Sequence, residues 1–230
     1  MPKAKNGVRH HFQKWGKKGS DTFLRNQKFV SDPIFQKVVS DPIFRKAAFL
    51  DRDGVINRDH GYVFRREEFE FVEGVLAGCA RLAQRGFALV VVTNQSGIGR
   101  GMYAESDFLR LTDWMTGQFA RAGAPLAAVY HCPHHPDESC DCRKPAPGML
   151  LRAARELKLD LARSVLFGDK VSDLQAAAAA GVPHRVLLGT DGATLPTAAD
   201  AALATARYRS LAEAVAAREF WAHLGEAADA

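Results

Sequence analysis

Apolar residues recur along this chain in two rhythms. Phe87 to Thr93 is a nearly continuous apolar run rich in Val, the mark of a strand buried on both faces. Ala47 to Leu50 is a shorter run that ends in acid, and Ala127 to Tyr130, Ser164 to Phe167 and Val186 to Leu188 read as further strands, with Ala201 to Leu203 as a weak one. Between these runs the spacing turns helical. Val75, Leu76, Cys79, Leu82 and Ala83 fall on one side of Gly74 to Arg85, and Phe108, Leu111, Met115 and Phe119 on one side of Glu105 to Ala122. Gly148 to Leu157 and Leu211 to Leu224 are also helical, and Ser172 to Ala180 ends at Gly181, suited to a left-handed cap. Such alternation predicts an α/β fold, a parallel sheet with helices on both faces. In that architecture ligands sit outside the carboxyl ends of the strands.

Composition narrows the class. The chain has 230 residues, 47% hydrophobic and 25% charged, ordinary for a soluble globular protein with one sizeable core. Its longest apolar run, Phe87 to Val92, is too short to span a bilayer, and no leader with a cleavage site is read at the start, so the expected compartment is the cytoplasm. A domain of this size is expected as a monomer. The net charge of +5 is uneven: residues 1 to 46 hold eleven Lys/Arg against three Asp, and the remainder twenty against twenty-three Asp/Glu. The main domain, 47 to 230, therefore carries no basic signature of nucleic-acid binding. Residues 1 to 46 read as a basic extension, disordered by composition. Within it, Val30 to Phe35 is nearly repeated by Val39 to Phe44, a local duplication or over-extended start in the plain reading and an anchor for a partner or anionic surface in the sharper one.

The candidate chemistry falls at strand ends. Asp51-Arg52-Asp53-Gly54 follows the first strand and can aim two carboxylates into one crevice, Asp51 as nucleophile and Asp53 as proton donor. Gly54 permits the turn away from the strand. Alone, such a pair is equally an ordinary polar turn; its partners change that. Thr93-Asn94-Gln95-Ser96-Gly97 offers a hydroxyl and backbone N–H groups for a phosphoryl group. Arg143-Lys144 adds fixed positive charge, and Gly168-Asp169-Lys170 adds a hard oxygen ligand for Mg²⁺. Asp173 reads as support or helix charge, and Lys170 either balances the acids or is solvated.

These four ordered motifs, spread from about Ala47 to Leu188, resemble those of the haloacid dehalogenase-like phosphatases. The resemblance implies a Rossmann-like fold without a large cap domain and an aspartyl-phosphate on Asp51, with Asp53 acting as acid and then base. It also implies Mg²⁺ held by Asp51, the main-chain carbonyl of Asp53 and Asp169, with Thr93 and Lys144 on the transferring phosphoryl group.

Three of the four cysteines crowd one loop, where Cys132, His134, Cys140 and Cys142 give the spacing C-x-H-x5-C-x-C, a closed structural Zn²⁺ set. His135 competes with His134. Cys79, in a helix, reads as a small buried apolar residue. A zinc loop between 132 and 142 looks like the subgroup of heptose-bisphosphate and histidinol-phosphate phosphatases. Segments Asp59-His60-Gly61-Tyr62 and Asn94-Gln95-Ser96 resemble the heptose members, and by that resemblance they line the substrate pocket together with Thr93, Lys144 and Arg143. The implied reaction is hydrolysis of the C7 phosphate of D-glycero-D-manno-heptose 1,7-bisphosphate, in nucleotide-heptose synthesis for a bacterial lipopolysaccharide or other surface polysaccharide. The short His134–Cys140 gap points instead to histidinol phosphatases, and a broader sugar-phosphate phosphatase is a further alternative. A zinc-stapled binding module without catalysis is the non-enzymatic reading, and the filled chemical roles weigh against it.

Overall fold

A computed structural model of the chain describes residues 45–189 and 202–226. The expected N-terminal extension and its near-repeat lie outside these residues, apart from Arg45 and Lys46.

Six strands form one sheet: β1 (Ala47–Leu50), β2 (Ala88–Asn94), β3 (Leu126–Cys132), β4 (Val165–Gly168), β5 (His184–Leu188) and β6 (Ala206–Tyr208). Their order is β3-β2-β1-β4-β5-β6 and every pairing is parallel. The apolar runs explain this. β1 and β4 are buried at every position, and β2 at all but its last. Parallel strands in the middle of a sheet meet helices on both sides and have no polar face to show. Alternation then sorts the two faces. Ala47, Phe49, Val90, Val92 and Leu166 pack against Met149, Leu150 and Ala153 of α4 (Gly148–Leu157) and against Leu174, Ala176 and Ala177 of α5 (Val171–Ala179). The opposite face meets α1 (Val75–Gln84), α3 (Glu105–Arg121), α6 (Leu211–Ala216) and α7 (Arg218–His223). There the Phe167 and Phe220 rings lie 5.7 Å apart. A single turn, α2 (Ser96–Gly99), follows β2.

The chain runs from β1 outward to β3, then returns to the far side of β1 for β4. Strand order thus reverses between β1 and β4, and the loops leaving these two strands part in opposite directions. Asp51 directly follows β1 and Asp169 directly follows β4, so the fold opens its crevice between them.

Two expectations are corrected. The weak strand is Ala206–Tyr208, not Ala201 to Leu203, since Ala202 and Leu203 are helical. The edge strand is short and half polar and shows no apolar run. Arg185 holds it in place: its backbone N–H donates to Thr205 Oγ1 (2.9 Å) and its Nε to the Leu203 carbonyl (2.7 Å). The closing helix is also not continuous over Leu211 to Leu224. Ala217 takes an extended ψ of 129° between α6 and α7. The break turns Phe220 and Trp221 inward together, and the Trp221 indole N–H donates to the Val215 carbonyl at 2.8 Å.

The start of β1 depends on one buried hydroxyl. Ser164 Oγ accepts the Ala47 N–H at 2.9 Å in a fully buried setting. Ser164→Ala leaves that N–H without a partner and is expected to lower stability by about 1–3 kcal/mol, read from urea unfolding midpoints. An unchanged midpoint would contradict this account.

Candidate active site

Asp51, Asp169 and Asp173 each offer an oxygen such that all three lie within 4.8 Å of one another. They come from the end of β1, the end of β4 and the first turn of α5. Lys144 drives into this group from the segment before α4. Its Nζ lies 2.9 Å from Asp51 Oδ1 and 2.6 Å from Asp173 Oδ1, and donates to the Val92 carbonyl at 2.8 Å. Burial works to lower the Lys144 pKa, but the charges of Asp173 and Asp51 outweigh it and the ammonium is held above its ordinary range. The Lys144 backbone is clamped to the end of β2 by Asn94, whose Oδ1 accepts the Lys144 N–H and whose Nδ2 donates to the Lys144 carbonyl, both at 3.0 Å.

Two glycines make the crowding possible. Gly54 turns at φ +88°, and a Cβ there would lie 2.2 Å from Asp169 Oδ2. A Cβ on Gly168 would lie 2.4 Å from the Asp173 Cβ. The Asp169 and Asp173 carboxylates occupy the space those side chains would need.

Negative charge exceeds what Lys144 can balance. Burial raises the Asp51 carboxyl from 3.8 to about 7; Lys144 pulls it down, while Asp173 and Asp169 push it up. Asp169 rises to about 6, by burial first and by Asp173, against the pull of Lys170 and Lys144. Its Oδ1 is buried with no hydrogen-bond partner among the described residues. A hard divalent cation taking oxygen ligands fits this set, because it offers the positive charge that three clustered carboxylates lack.

Asp53 stands beside the cluster, its carboxylate fixed by donors. Oδ1 accepts from Arg52 Nη2 (2.8 Å), Arg52 Nε (3.2 Å) and Asn57 Nδ2 (3.0 Å), and Oδ2 from Gln95 Nε2 (3.0 Å). Arg52 is 1% exposed and also donates to the Val63 carbonyl, which ties the following loop down. The composition around Asp51 did not single out Arg52 or Asn57. A charged residue between two acids was the available signal.

The remaining expected residues spread around this centre. Thr93 is buried at the end of β2, Gln95 is buried and Ser96 half-buried. Asp59, His60, Gly61 and Tyr62 form an exposed loop, pinned by Lys170, whose Nζ donates to Asp59 Oδ2 at 3.0 Å and lies 3.8 Å from Asp169 Oδ2. Of the two readings of Lys170, it balances the acids. Burial acts to raise the Asp59 carboxyl, but the Lys170 hydrogen bond and the Gly61 N–H hold it below its ordinary value. Arg143 is half-buried, and its Nη1 is buried without a hydrogen-bond partner among the described residues.

A second cluster lies on the next strand end. His134 Nδ1 lies 3.4 Å from Cys132 Sγ and 3.2 Å from Cys142 Sγ, and Cys132 Sγ lies 3.7 Å from Cys140 Sγ. A tetrahedral ion with bonds of about 2.0–2.3 Å gives ligand edges of roughly 3.3–3.8 Å, so these four atoms have the spacing of a closed metal site. His134, not His135, joins it; His135 Nδ1 accepts the Asp137 N–H at 3.2 Å instead. Cys79 is fully buried in α1, and burial raises its thiol pKa.

A model of haloacid dehalogenase-like hydrolases matches residues 5–181. The chain is 53% identical over 151 residues to the D-glycero-beta-D-manno-heptose-1,7-bisphosphate 7-phosphatase of Yersinia pestis, spanning 63% of this chain and 80% of that protein. It is 51% identical over 163 residues to the protein of the same name from Escherichia coli K12, spanning 68% and 85%. Among solved structures, the D,D-heptose 1,7-bisphosphate phosphatase from B. bronchiseptica complexed with magnesium and phosphate is similar, with a TM-score of 0.64 and 36% identity over 73% of this chain and 94% of that one.

The raised Asp51 pKa carries a consequence for stability. A carboxyl that moves from 3.8 to about 7 on folding contributes fully at acid pH, and the contribution is lost as pH rises through about 7. A divalent cation binds only the ionised form and reverses the loss. Added Mg²⁺ is therefore expected to raise the melting temperature more at about pH 8 than at about pH 5, relative to protein in EDTA. Equal shifts at both values would count against the cluster as a cation site.

Proposed function

The chain belongs to the haloacid dehalogenase-like hydrolase family, and from that premise we propose that it removes the C7 phosphate of D-glycero-D-manno-heptose 1,7-bisphosphate. The observation that carries the reading is the convergence of Asp51, Asp53, Thr93, Lys144 and Asp169 at the β1–β4 switch point. It occurs in a chain that is 53% identical over 151 residues and 51% identical over 163 residues to two proteins named for that reaction.

Asp51 attacks phosphorus, the bond from phosphorus to the C7 oxygen breaks, and Asp53 gives that oxygen its proton. Water then attacks the aspartyl-phosphate, Asp53 takes the proton back, and phosphate leaves with Asp51 restored. Thr93 and Lys144 bind the phosphoryl oxygens, Lys144 with charge that is already in place before reaction. Asp51, the main-chain carbonyl of Asp53 and Asp169 would hold Mg²⁺, which would supply further positive charge at the phosphoryl group. Lys144 also holds Asp51 Oδ1, as does the Arg52 N–H at 2.7 Å, so the nucleophile is aimed before substrate arrives.

The second phosphate of the substrate is assigned to Arg143, whose buried Nη1 has no hydrogen-bond partner among the described residues and whose planar donors suit a phosphate. The loop Asp59 to Tyr62 and residues Asn94 to Ser96 frame the sugar; Asn94 does so through the Lys144 backbone and Gln95 through Asp53 and Thr93, since their amides are spent there. The cysteine cluster is assigned Zn²⁺, with Cys132, His134, Cys140 and Cys142 leaving no open position, so the ion orders the loop and takes no part in the reaction. No helix among the described residues is long and apolar enough to cross a membrane. We assign the enzyme to the cytoplasm as a monomer.

Histidinol phosphate is the competing substrate, favoured by the five-residue gap between His134 and Cys140. Phosphate release from the two substrates separates the readings: a kcat/KM larger for histidinol phosphate would sink the heptose assignment. Asp51→Asn is expected to abolish release from both, and surviving turnover would refute the covalent route. Metal analysis of protein purified without chelators is expected to give one Zn²⁺ per chain, lost in Cys140→Ser/Cys142→Ser; its absence from the native protein would refute the zinc assignment.

A further inference from the structure

The two oxygens of Asp53 are not equivalent. Oδ1 takes three donors from Arg52 and Asn57, whereas Oδ2 takes one, from Gln95. A carboxylate oxygen has two lone-pair sites, so Oδ2 retains one with which to hold and release a proton. What aims Oδ2 is therefore the amide of Gln95.

That amide is fully committed. Its nitrogen carries two N–H bonds; one goes to Asp53 Oδ2 at 3.0 Å and the other to Thr93 Oγ1 at 2.8 Å. Its oxygen accepts the hydroxyl of Tyr103 at 2.6 Å. The two ends of an amide have the same shape, so the partners decide which way it faces. Tyr103 faces the oxygen end and thereby sends the nitrogen end to Asp53 and Thr93. Water cannot easily substitute, because Gln95 is 2% and Tyr103 7% exposed. Burial raises the Tyr103 hydroxyl to about 12, which keeps its proton available to donate. The ring itself is seated: it stacks on Phe64 with centroids 4.9 Å apart and planes 8° from parallel, and a Cβ on Gly97 would lie 2.2 Å from it.

We propose that Gln95 and Tyr103 are positioning residues: Tyr103 locks the Gln95 amide, and the amide aims Asp53 Oδ2 at the leaving oxygen while turning the Thr93 hydroxyl hydrogen toward the phosphoryl group. With an N–H already on its oxygen, the Thr93 hydroxyl is polarised, and its own hydrogen, which meets no acceptor among the described residues, can go to a phosphoryl oxygen. Gln95 thus serves both halves of the site without touching the bond that breaks. The inference rests on the acid role proposed for Asp53, but not on the identity of the sugar.

The test is a series of aryl phosphates with phenols of graded pKa, assayed with the wild type, Tyr103→Phe, Gln95→Leu and Asp53→Asn. A misaimed acid harms poor leaving groups most, because good ones depart without a proton. For the poorest leaving group, kcat/KM is expected to fall about 10-fold in Tyr103→Phe and roughly 10²-fold in Gln95→Leu. The loss shrinks as the phenol becomes more acidic, so the plot of log kcat/KM against leaving-group pKa steepens toward that of Asp53→Asn. A merely structural role lowers every substrate equally. Parallel plots, or no loss in Tyr103→Phe, which removes one hydroxyl and keeps the ring, would overturn the proposal. A wild type with no preference for heptose 1,7-bisphosphate would overturn the substrate assignment and leave the aryl comparison standing.

Discussion

Lys144 is a buried ammonium, placed between Asp51, Asp173 and the Val92 carbonyl. A buried charge left unpaired is costly, and a buried pair stripped of one partner costs about 3–5 kcal/mol in typical cases. The elements that meet it are therefore tied to one another: β1 through Asp51, β2 through Val92 and Asn94, α5 through Asp173. The same contacts that hold these elements together set the orientation of Asp51, so folding the strand ends correctly and assembling the site are one event.

The segment that delivers Lys144 is short and polar and has little apolar surface of its own. It is fixed from both sides. Asn94 grips its backbone, and the residues just before it, Cys140 and Cys142, belong to the Cys/His cluster anchored on β3 by Cys132. An ion in that cluster would hold the loop where apolar burial cannot, two residues from Lys144. Asp53 is fixed in the same manner on the opposite flank, by a buried guanidinium and two amides. Excess negative charge at the centre, balanced only in part by Lys144 and suited to a cation, unites the two flanks.

Much of this was open to reading in the linear pattern. Two-face burial of Phe87 to Thr93 and the 3.6-residue spacing of Phe108, Leu111, Met115 and Phe119 follow from local chemistry, and all appear where the pattern puts them. Where the pattern misleads, tertiary packing overrides propensity. Leu211 to Leu224 has the composition of one helix, yet two aromatic rings bury only if the backbone extends at Ala217. β6 has little apolar signal, because its place at the sheet edge is secured by Arg185 reaching the Leu203 carbonyl and the Thr205 hydroxyl.

Residue identity and order by themselves determined that two acids follow one strand, a third acid follows another, and three thiols share a loop with two imidazoles. Those are short-range facts, since the groups that carry chemistry sit at strand ends whichever way the chain packs. Only the folded structure decided that His134 faces the thiols while His135 turns to Asp137, that Lys170 reaches Asp59 111 positions away, and that Gln95 holds Asp53 and Thr93 under the direction of Tyr103. Hydrogen bonds have direction and a reach of about 3 Å, so which donor meets which acceptor depends on the packing of distant elements, and no spacing along the chain encodes it.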